Sequence, residues 1–279
     1  MKIRRLPDWM KVRSPLGKNY IEMKRLLKEY SVNTICQNAL CPNIGRCFNS
    51  GVNAFLILGK VCTRHCKYCN VSSSKPEMVN DAEAKSIAKI VNHFRMKHAV
   101  VTSVTRDDLS DGGAFLFVKT IKEIRKINHD TTVEVLIPDF NGCDESLKVV
   151  IFEKPDVLNH NIETVERLYP VMRPQADYKR SLELLKKSKE IDKNLKTKSG
   201  LMVGLGETKD EVVKAIKDLR EVACDMLIIG QYLSPSEKHY PINRFYHPDE
   251  FMEMQNIGME MGFLEIKSTP LARSSYQFD

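Results

Sequence analysis

No part of this 279-residue sequence holds the unbroken apolar run of about 20 residues that a membrane-spanning helix requires. Nor do the first residues read as a secretory leader. Lys2, Arg4, Arg5, Lys11 and Arg13 crowd the segment from Met1 to Ser14, but no apolar core accompanies them, and Pro7 and Trp9 interrupt any amphipathic transit helix. We therefore expect a soluble, cytoplasmic protein with no membrane partner. Dense runs of one charge are also lacking. The net charge of +7 comes from Lys and Arg scattered along the chain, which suits acidic partners without marking a nucleic-acid site. No nucleic acid is expected among its partners. Repeats, low-complexity tracts and long flexible linkers are absent as well.

What is present is enough for a sizeable core, with apolar residues making up 42% of the chain. Short β-branched runs occur at Ala54–Leu58, Ala99–Val104, Thr132–Ile137, Asp156–Leu158, Lys198–Val203 and Met226–Ile229. Helical patterns alternate with them at Asp81–Phe94, Ala114–Ile127, Glu145–Phe152, Val165–Leu168 (continuing after Pro174 into Tyr178–Ile191) and Lys209–Val222. A helix at Asp249–Met261 and an apolar run at Phe263–Ile266 follow. Strands apolar through their length, alternating with amphipathic helices, imply a parallel sheet covered by helices.

Six such β/α units fall short of the eight that close a TIM barrel. The expected fold is thus α/β, a partial and open (β/α)6 TIM-like barrel, with a doubly wound sheet as the other arrangement of six units. Residues 1–53 read as an N-terminal extension, 54–233 as the barrel and 234–279 as a C-terminal extension. The βα loops converge at the C-terminal strand ends, where polar residues should line the site.

Cysteine is unevenly distributed: of eight, six fall between Cys36 and Cys69. Disulfide scaffolds cluster cysteines in short secreted chains, and this chain is neither. The dense block reads as metal ligation, whereas the isolated Cys143 and Cys224 read as ordinary small core residues.

The first strand runs straight into Gly59-Lys-Val-Cys62-Thr-Arg-His-Cys66-Lys-Tyr-Cys69, a C-x3-C-x2-C loop. Three thiolates so spaced can hold three irons of a [4Fe–4S] cube and leave the fourth iron open. An open iron can bind the amino and carboxylate groups of S-adenosylmethionine (SAM), whose one-electron cleavage yields a 5′-deoxyadenosyl radical. The loop resembles that of the radical SAM superfamily, in which Tyr68 would be the aromatic shield of the cluster. Zinc is the competing reading, with His65 as a fourth ligand. But His65 lies between two of the cysteines on a tight loop, where reaching the same ion would be strained.

Upstream, Cys36, Cys41 and Cys47 form a C-x4-C-x5-C motif, three more thiolates that need a fourth ligand or an open iron. By residue type alone, Cys143 or Cys224 could complete the set. Both cysteine motifs in this order resemble lipoyl synthase, and other stretches agree. They are Arg106-Asp-Asp-Leu-Ser-Asp-Gly-Gly113, Asn159-His-Asn-Ile-Glu-Thr164, Arg173-Pro, Tyr178-Lys-Arg-Ser-Leu, Gly230-Gln-Tyr-Leu-Ser-Pro-Ser236 and the terminal Arg273-Ser-Ser-Tyr276. Arg46, Phe48 and Lys60 depart from the family pattern without removing a ligand.

The resemblance implies two [4Fe–4S] clusters and SAM as cofactors. It also implies a serine oxygen as fourth ligand of the second cluster, assigned to Ser275 with Ser274 as the alternative. An oxygen is a weaker partner than sulfur in such clusters, as a cluster that must come apart needs. Asn161 and Glu163, after the fourth strand, would contact SAM, and Arg180 would pair with its carboxylate. Gly204 and Gly206 would let backbone approach the adenine, a pattern equally met in a plain strand-to-helix turn. His160 and His239 receive no role.

The implied reaction inserts sulfur at C6 and C8 of an octanoyl chain carried on a lysine of an acceptor protein. The implied partners are octanoylated lipoyl-domain proteins (2-oxoacid dehydrogenase E2 subunits and the glycine cleavage H protein) and a small electron donor such as flavodoxin or ferredoxin. A methylthiotransferase and a non-enzymatic zinc or nucleic-acid module are the readings to be weighed against it.

Overall fold

The computed structural model describes residues 5–12 and 16–276. Lys2, Arg4 and Arg13 of the N-terminal cation group, and residues 277–279 of the expected C-terminal extension, lie outside the described residues.

Along the chain, α1 (Lys18–Glu29), β1 (Asn33–Thr34), α2 (Ile35–Asn38) and α3 (Ile44–Asn49) precede β2 (Ala54–Ile57). A small ribbon follows, β3 (Val61–Cys62) paired with β4 (Ser72–Ser73). Next come α4 (Glu83–His93), β5 (His98–Ser103), α5 (Ala114–Ile127), β6 (Thr132–Leu136), α6 (Asp144–Phe152) and β7 (Val157–Asn159). The chain ends through α7 (Tyr169–Met172), α8 (Tyr178–Ile191), β8 (Lys196–Val203), α9 (Lys209–Glu221), β9 (Met226–Gln231), α10 (Pro248–Glu260) and β10 (Glu265–Ser268).

The main sheet has the order β1-β2-β5-β6-β7-β8-β9-β10, with β1 antiparallel to β2 and every other pair parallel. β1 and β10 stand at its two ends, so the barrel is partial, as expected. β2 and β9 are buried along their whole length because the sheet is covered on both faces, which is why they read as unbroken apolar runs. Helices seal the outer face through stripes such as Ile87, Ile90 and Val91 of α4, each contributing about 1.5–3 kcal/mol of burial.

Two expectations need correction. The apolar run at Phe263–Ile266, left outside the six units, belongs to β10, a seventh parallel strand, whose Glu265 to Ser268 pair with Met226 to Ile229. As an edge strand it buries only alternate residues, Ile266 and Ser268, so its apolar signal is short and displaced. Nor does the pattern at 165–168 run on into α8. Arg173 leaves the helical region (φ −136°, ψ 63°) before Pro174, as residues before proline are driven to do. The chain restarts as α8 only where Asp177 caps it, accepting the Arg180 backbone N–H at 2.7 Å.

The turn out of β2 aims the next loop. Leu58 sits at φ +67°, in the left-handed region, and its N–H donates to the buried carboxylate of Glu83 at 2.9 Å. That contact stabilises a conformation a leucine would otherwise avoid.

Candidate active site at the C-terminal face of the sheet

The C-terminal ends of β5, β6, β7, β8 and β9 surround one cavity of about 1110 Å³. Into it project Cys62, Cys66 and Cys69 from the loop after β2, and Cys36 and Cys41 from the segment before it. Ser274 and Ser275 line the same cavity from the far end of the chain.

The loop bearing Cys62, Cys66 and Cys69 is pinned from several sides. Thr63 N–H donates to the Thr105 carbonyl (3.0 Å), Lys67 N–H to that of Met172 (2.9 Å), and Tyr240 N–H to that of Lys67 (2.9 Å). His239 Nε2 lies 3.2 Å from the Cys69 carbonyl. The backbone N–H groups of Arg64 and Thr105 point at Cys62 Sγ, at 3.4 and 3.3 Å, the kind of donor that tunes a thiolate on iron.

Arg64, between the cysteines, is the loop's anchor and was not foreseen. Its guanidinium is buried and donates to Asp107 (2.7 and 2.8 Å), Asp139 (2.7 Å) and Asn141 (2.6 Å). Burial alone would raise the Asp139 pKa, but the Arg64 hydrogen bond and charge outweigh it and hold the carboxylate well below its usual range. A cation spaced inside a cysteine motif is the only signal the sequence carries for this, and its partners lie 43 to 77 residues away.

On the other motif, Thr34 caps α2 by accepting the Gln37 N–H, fixing Cys36, and the Cys41 N–H donates to the Cys36 carbonyl at 3.0 Å. Cys47 follows on α3, beside Cys41. Burial pushes the thiols of Cys36 and Cys69 up to about 12 and raises those of Cys47 and Cys66 as well. Thiols held this way stay protonated until a metal displaces the proton.

Asn161 and Glu163 both line the cavity. Glu163 adopts φ +65°, held by its N–H on the Gly200 carbonyl (2.9 Å) and its own carbonyl on the Met202 N–H (2.8 Å). Its carboxyl accepts from Asn161 Nδ2 at 3.0 Å and is raised by burial, with Arg173 pulling the other way. His160 donates from Nδ1 to the Ile137 carbonyl at 2.9 Å, and burial followed by the Arg173 charge pushes its pKa down to about 4. Asn161 Oδ1, His160 Nε2 and Arg173 Nε are buried in this wall with no hydrogen-bond partner among the described residues.

Other expected residues lie elsewhere. Arg180 is bonded to Asp139 (2.9 Å from Nε, 2.8 Å from Nη2) and faces a second pocket of about 390 Å³ with Asp144 and Lys187. Arg173 instead lines the main cavity, and its charge acts on both Glu163 and Cys66. Gly204 and Gly206 form the turn after β8, where the Glu207 carboxylate accepts the N–H groups of Gly204 (2.6 Å) and Leu205 (2.9 Å). Gly204 is required there because a Cβ would come 2.1 Å from Gln231 Nε2. Cys143 is not a core residue: it is exposed at the start of α6, while Cys224 is buried as expected.

Residues 56–219 match the model of the radical SAM superfamily, and residues 1–41 that of the N-terminal domain of lipoyl synthase. Over 270 residues the chain is 51% identical to the lipoyl synthase of Caldicellulosiruptor saccharolyticus, covering 97% of this chain and 95% of that one. The chain belongs to the lipoyl synthase family of the radical SAM superfamily. The lipoyl synthase of Caldanaerobacter subterraneus subsp. tengcongensis is 50% identical over 275 residues, 99% of this chain and 96% of that one. Among solved structures, Streptococcus suis SuiB bound to S-adenosylmethionine superposes with a TM-score of 0.61 at 11% identity, over 93% of this chain and 63% of that one. HydG, a maturase of the [FeFe]-hydrogenase, gives 0.59 at 15% identity, over 90% and 68%. At such identities these two share the fold alone.

Lipoyl synthases use SAM and two [4Fe–4S] clusters, and the donor set fits both. Five of the six motif thiols, all but Cys47, line a large cavity, an arrangement with room for multi-iron groups and for a ligand that uses the unpartnered atoms of Asn161, His160 and Arg173.

Proposed function

We propose that this chain inserts two sulfur atoms, at C6 and C8, into an octanoyl group amide-linked to a lysine of an acceptor protein. The observation that carries the reading is the convergence of two cysteine motifs and the terminal serines on one cavity at the C-terminal face of the sheet. Cys62, Cys66 and Cys69 would hold the first cluster, leaving one iron for SAM. When bound, that pair supplies the 5′-deoxyadenosyl radical that removes hydrogen from an unactivated carbon.

The chain's own residues orient and shield. Arg64 and its carboxylates fix the first loop, Tyr68 covers it, and Asn161 and Glu163 present acceptors to the hydroxyls of the SAM ribose. The carboxylate of SAM needs a cation: Arg173 and Arg273 line the cavity, and Arg180, the one expected, lies outside it behind Asp139. The second cluster, held by Cys36, Cys41, Cys47 and Ser275, is a substrate of the reaction and gives up its sulfur. A serine oxygen on iron is the ligand easiest to lose, which suits a cluster that is consumed.

The finer partners follow from the same reading: E2 subunits and the H protein as acceptors, and a flavodoxin or ferredoxin as electron donor. We place this work in the cytoplasm; among the described residues no helix is long and apolar enough to cross a membrane. A barrel over 54–233 would perform the radical chemistry, and the extensions before and after it would supply the second cluster's ligands.

The test is anaerobic turnover of an octanoyl-lysine peptide, with 5′-deoxyadenosine, monothiolated peptide and lipoyl peptide counted separately. Replacing Cys36, Cys41 and Cys47 with Ala should abolish both thiolated products while 5′-deoxyadenosine still forms. Lipoyl product from that variant would show that the second cluster is not the sulfur source.

A further inference from the structure

Four adjacent strands each contribute one polar side chain to the inside of the barrel, and none of the four has a part in the chemistry above. Lys198 on β8 is fully buried, its Nζ 3.0 Å from both carboxylate oxygens of Glu134 on β6. Asn159 on β7, between them, donates from Nδ2 to Glu134 Oε1 at 2.8 Å. His98 on β5 brings Nε2 to 3.3 Å from the same carboxylate. Desolvating such a pair costs about as much as its attraction returns, so stability alone does not account for it.

The two donors reach further. Lys198 Nζ also donates to the carbonyl of Tyr276 at 2.6 Å, and Asn159 Nδ2 to that of Ser274 at 3.1 Å. These are the carbonyls on either side of Ser275. The sheet is shaped to admit the segment: a Cβ on Gly230 would fall 2.3 Å from the Ala272 carbonyl oxygen, and one on Gly200 3.2 Å from Ser274 Cβ. Upstream, Asn43 Nδ2 donates to the Leu271 carbonyl at 2.7 Å.

We propose that Glu134, Asn159 and Lys198 form a latch that binds the main chain on both sides of Ser275, presenting this serine to the cavity whether or not iron is there. They are positioning residues, and the part of the proposal that concerns iron rests on the function proposed above. With the turn held by the barrel, Ser275 can release iron during sulfur donation without the chain end undocking.

Carboxypeptidase digestion of the full-length apo chain, followed by mass, reads the latch with no cluster present. The wild type should release Tyr276 slowly. The paired change Glu134→Gln with Lys198→Met deletes the donor to the Tyr276 carbonyl without stranding a buried charge. Release should then quicken by roughly tenfold or more, the effect of losing a charge-assisted hydrogen bond on local opening, while thermal melting stays cooperative. Asn159→Leu removes the bonds to the Ser274 carbonyl and to Glu134 while leaving the Lys198–Glu134 pair in place, and should quicken release as well, so the idea remains exposed even if the paired variant does not fold.

A second readout uses the reconstituted protein. Chelator-driven loss of iron from the Cys36–Cys41–Cys47 cluster should accelerate in both variants, with loss from the Cys62–Cys66–Cys69 cluster unaltered, a contrast that general loosening would not produce. Wild-type release of Tyr276 in the folded variants, or equal iron loss from both clusters, would overturn the latch. A slow wild-type digestion that quickens in the variants upholds it even if the Cys36, Cys41 and Cys47 triple variant makes lipoyl peptide, in which case the function falls and the latch stands.

Discussion

Asp139→Asn tests how far the first cluster loop depends on charges outside it. The Asp139 carboxylate is fully buried and takes Arg64 at 2.7 Å and Arg180 at 2.8 Å. In the variant Arg64 keeps Asp107, which is only partly buried, and loses its buried partner. Removing one member of a buried pair costs about 3–5 kcal/mol. Because the two-pronged Asp107 contact survives, we expect the lower end, about 3 kcal/mol, or roughly a hundredfold in the folded-to-unfolded ratio.

The pH dependence has a definite sign. The folded pKa of Asp139 is depressed, so its stabilisation is fully present above the unfolded value near 3.9 and fades only as pH falls through the lower folded value. The gap between wild type and variant should therefore be flat from about pH 5 to 8 and narrow only below about pH 4. Urea denaturation of the apo chain under reducing, anaerobic conditions measures it, with iron per chain after reconstitution as a companion reading. A gap under about 1 kcal/mol, or one that closes between pH 5 and 8, would refute the assignment of Arg64 and Asp139 as the loop's anchor.

Anaerobic reconstitution should load about eight irons per chain, and Ala at Cys62, Cys66 and Cys69 should leave about half; stoichiometric zinc without acid-labile sulfide would end the cluster reading. Arg173→Ala and Arg180→Ala, titrated with SAM on the cluster-loaded protein, should separate the two cations: the larger loss of affinity marks the one that meets the SAM carboxylate, and no loss in either would mean that SAM binds elsewhere. Ser275→Cys should keep iron content normal while product falls, since a thiolate grips iron more firmly than a serine oxygen. Product at the wild-type level would exonerate Ser275 and move attention to Ser274.

What the sequence made legible depended on how local the signal was. β2 and β9 announced themselves because both faces are covered, and the cysteine loop because its spacing fits one short segment. α1 did not stand out inside the N-terminal extension: its buried stripe is only Met23, Leu26 and Leu27 amid charged residues. β10 was displaced because an edge strand alternates. The anchoring of Arg64 was invisible because its partners come from two later βα loops, and charges that meet only in three dimensions leave no periodicity to read. Arg180 illustrates the reverse case. Its position after β7 pointed to the cavity, yet a buried carboxylate from the preceding loop captures it, while Arg173 lines the cavity beside Glu163.

The bond from Asn43 to the Leu271 carbonyl spans 228 residues of chain. At a synthesis rate of about 5–20 residues per second, roughly 10–45 s separate the emergence of its two ends from the ribosome. For all of that time Cys36, Cys41 and Cys47 are outside while the segment that closes over them is not yet made. The loop of Cys62, Cys66 and Cys69 waits less, but still for the 170 residues that separate Cys69 from His239. The site farthest forward in the chain is thus the last to be finished, and a nascent chain passes through a stage in which three thiols are exposed to whatever metal or oxidant reaches them first.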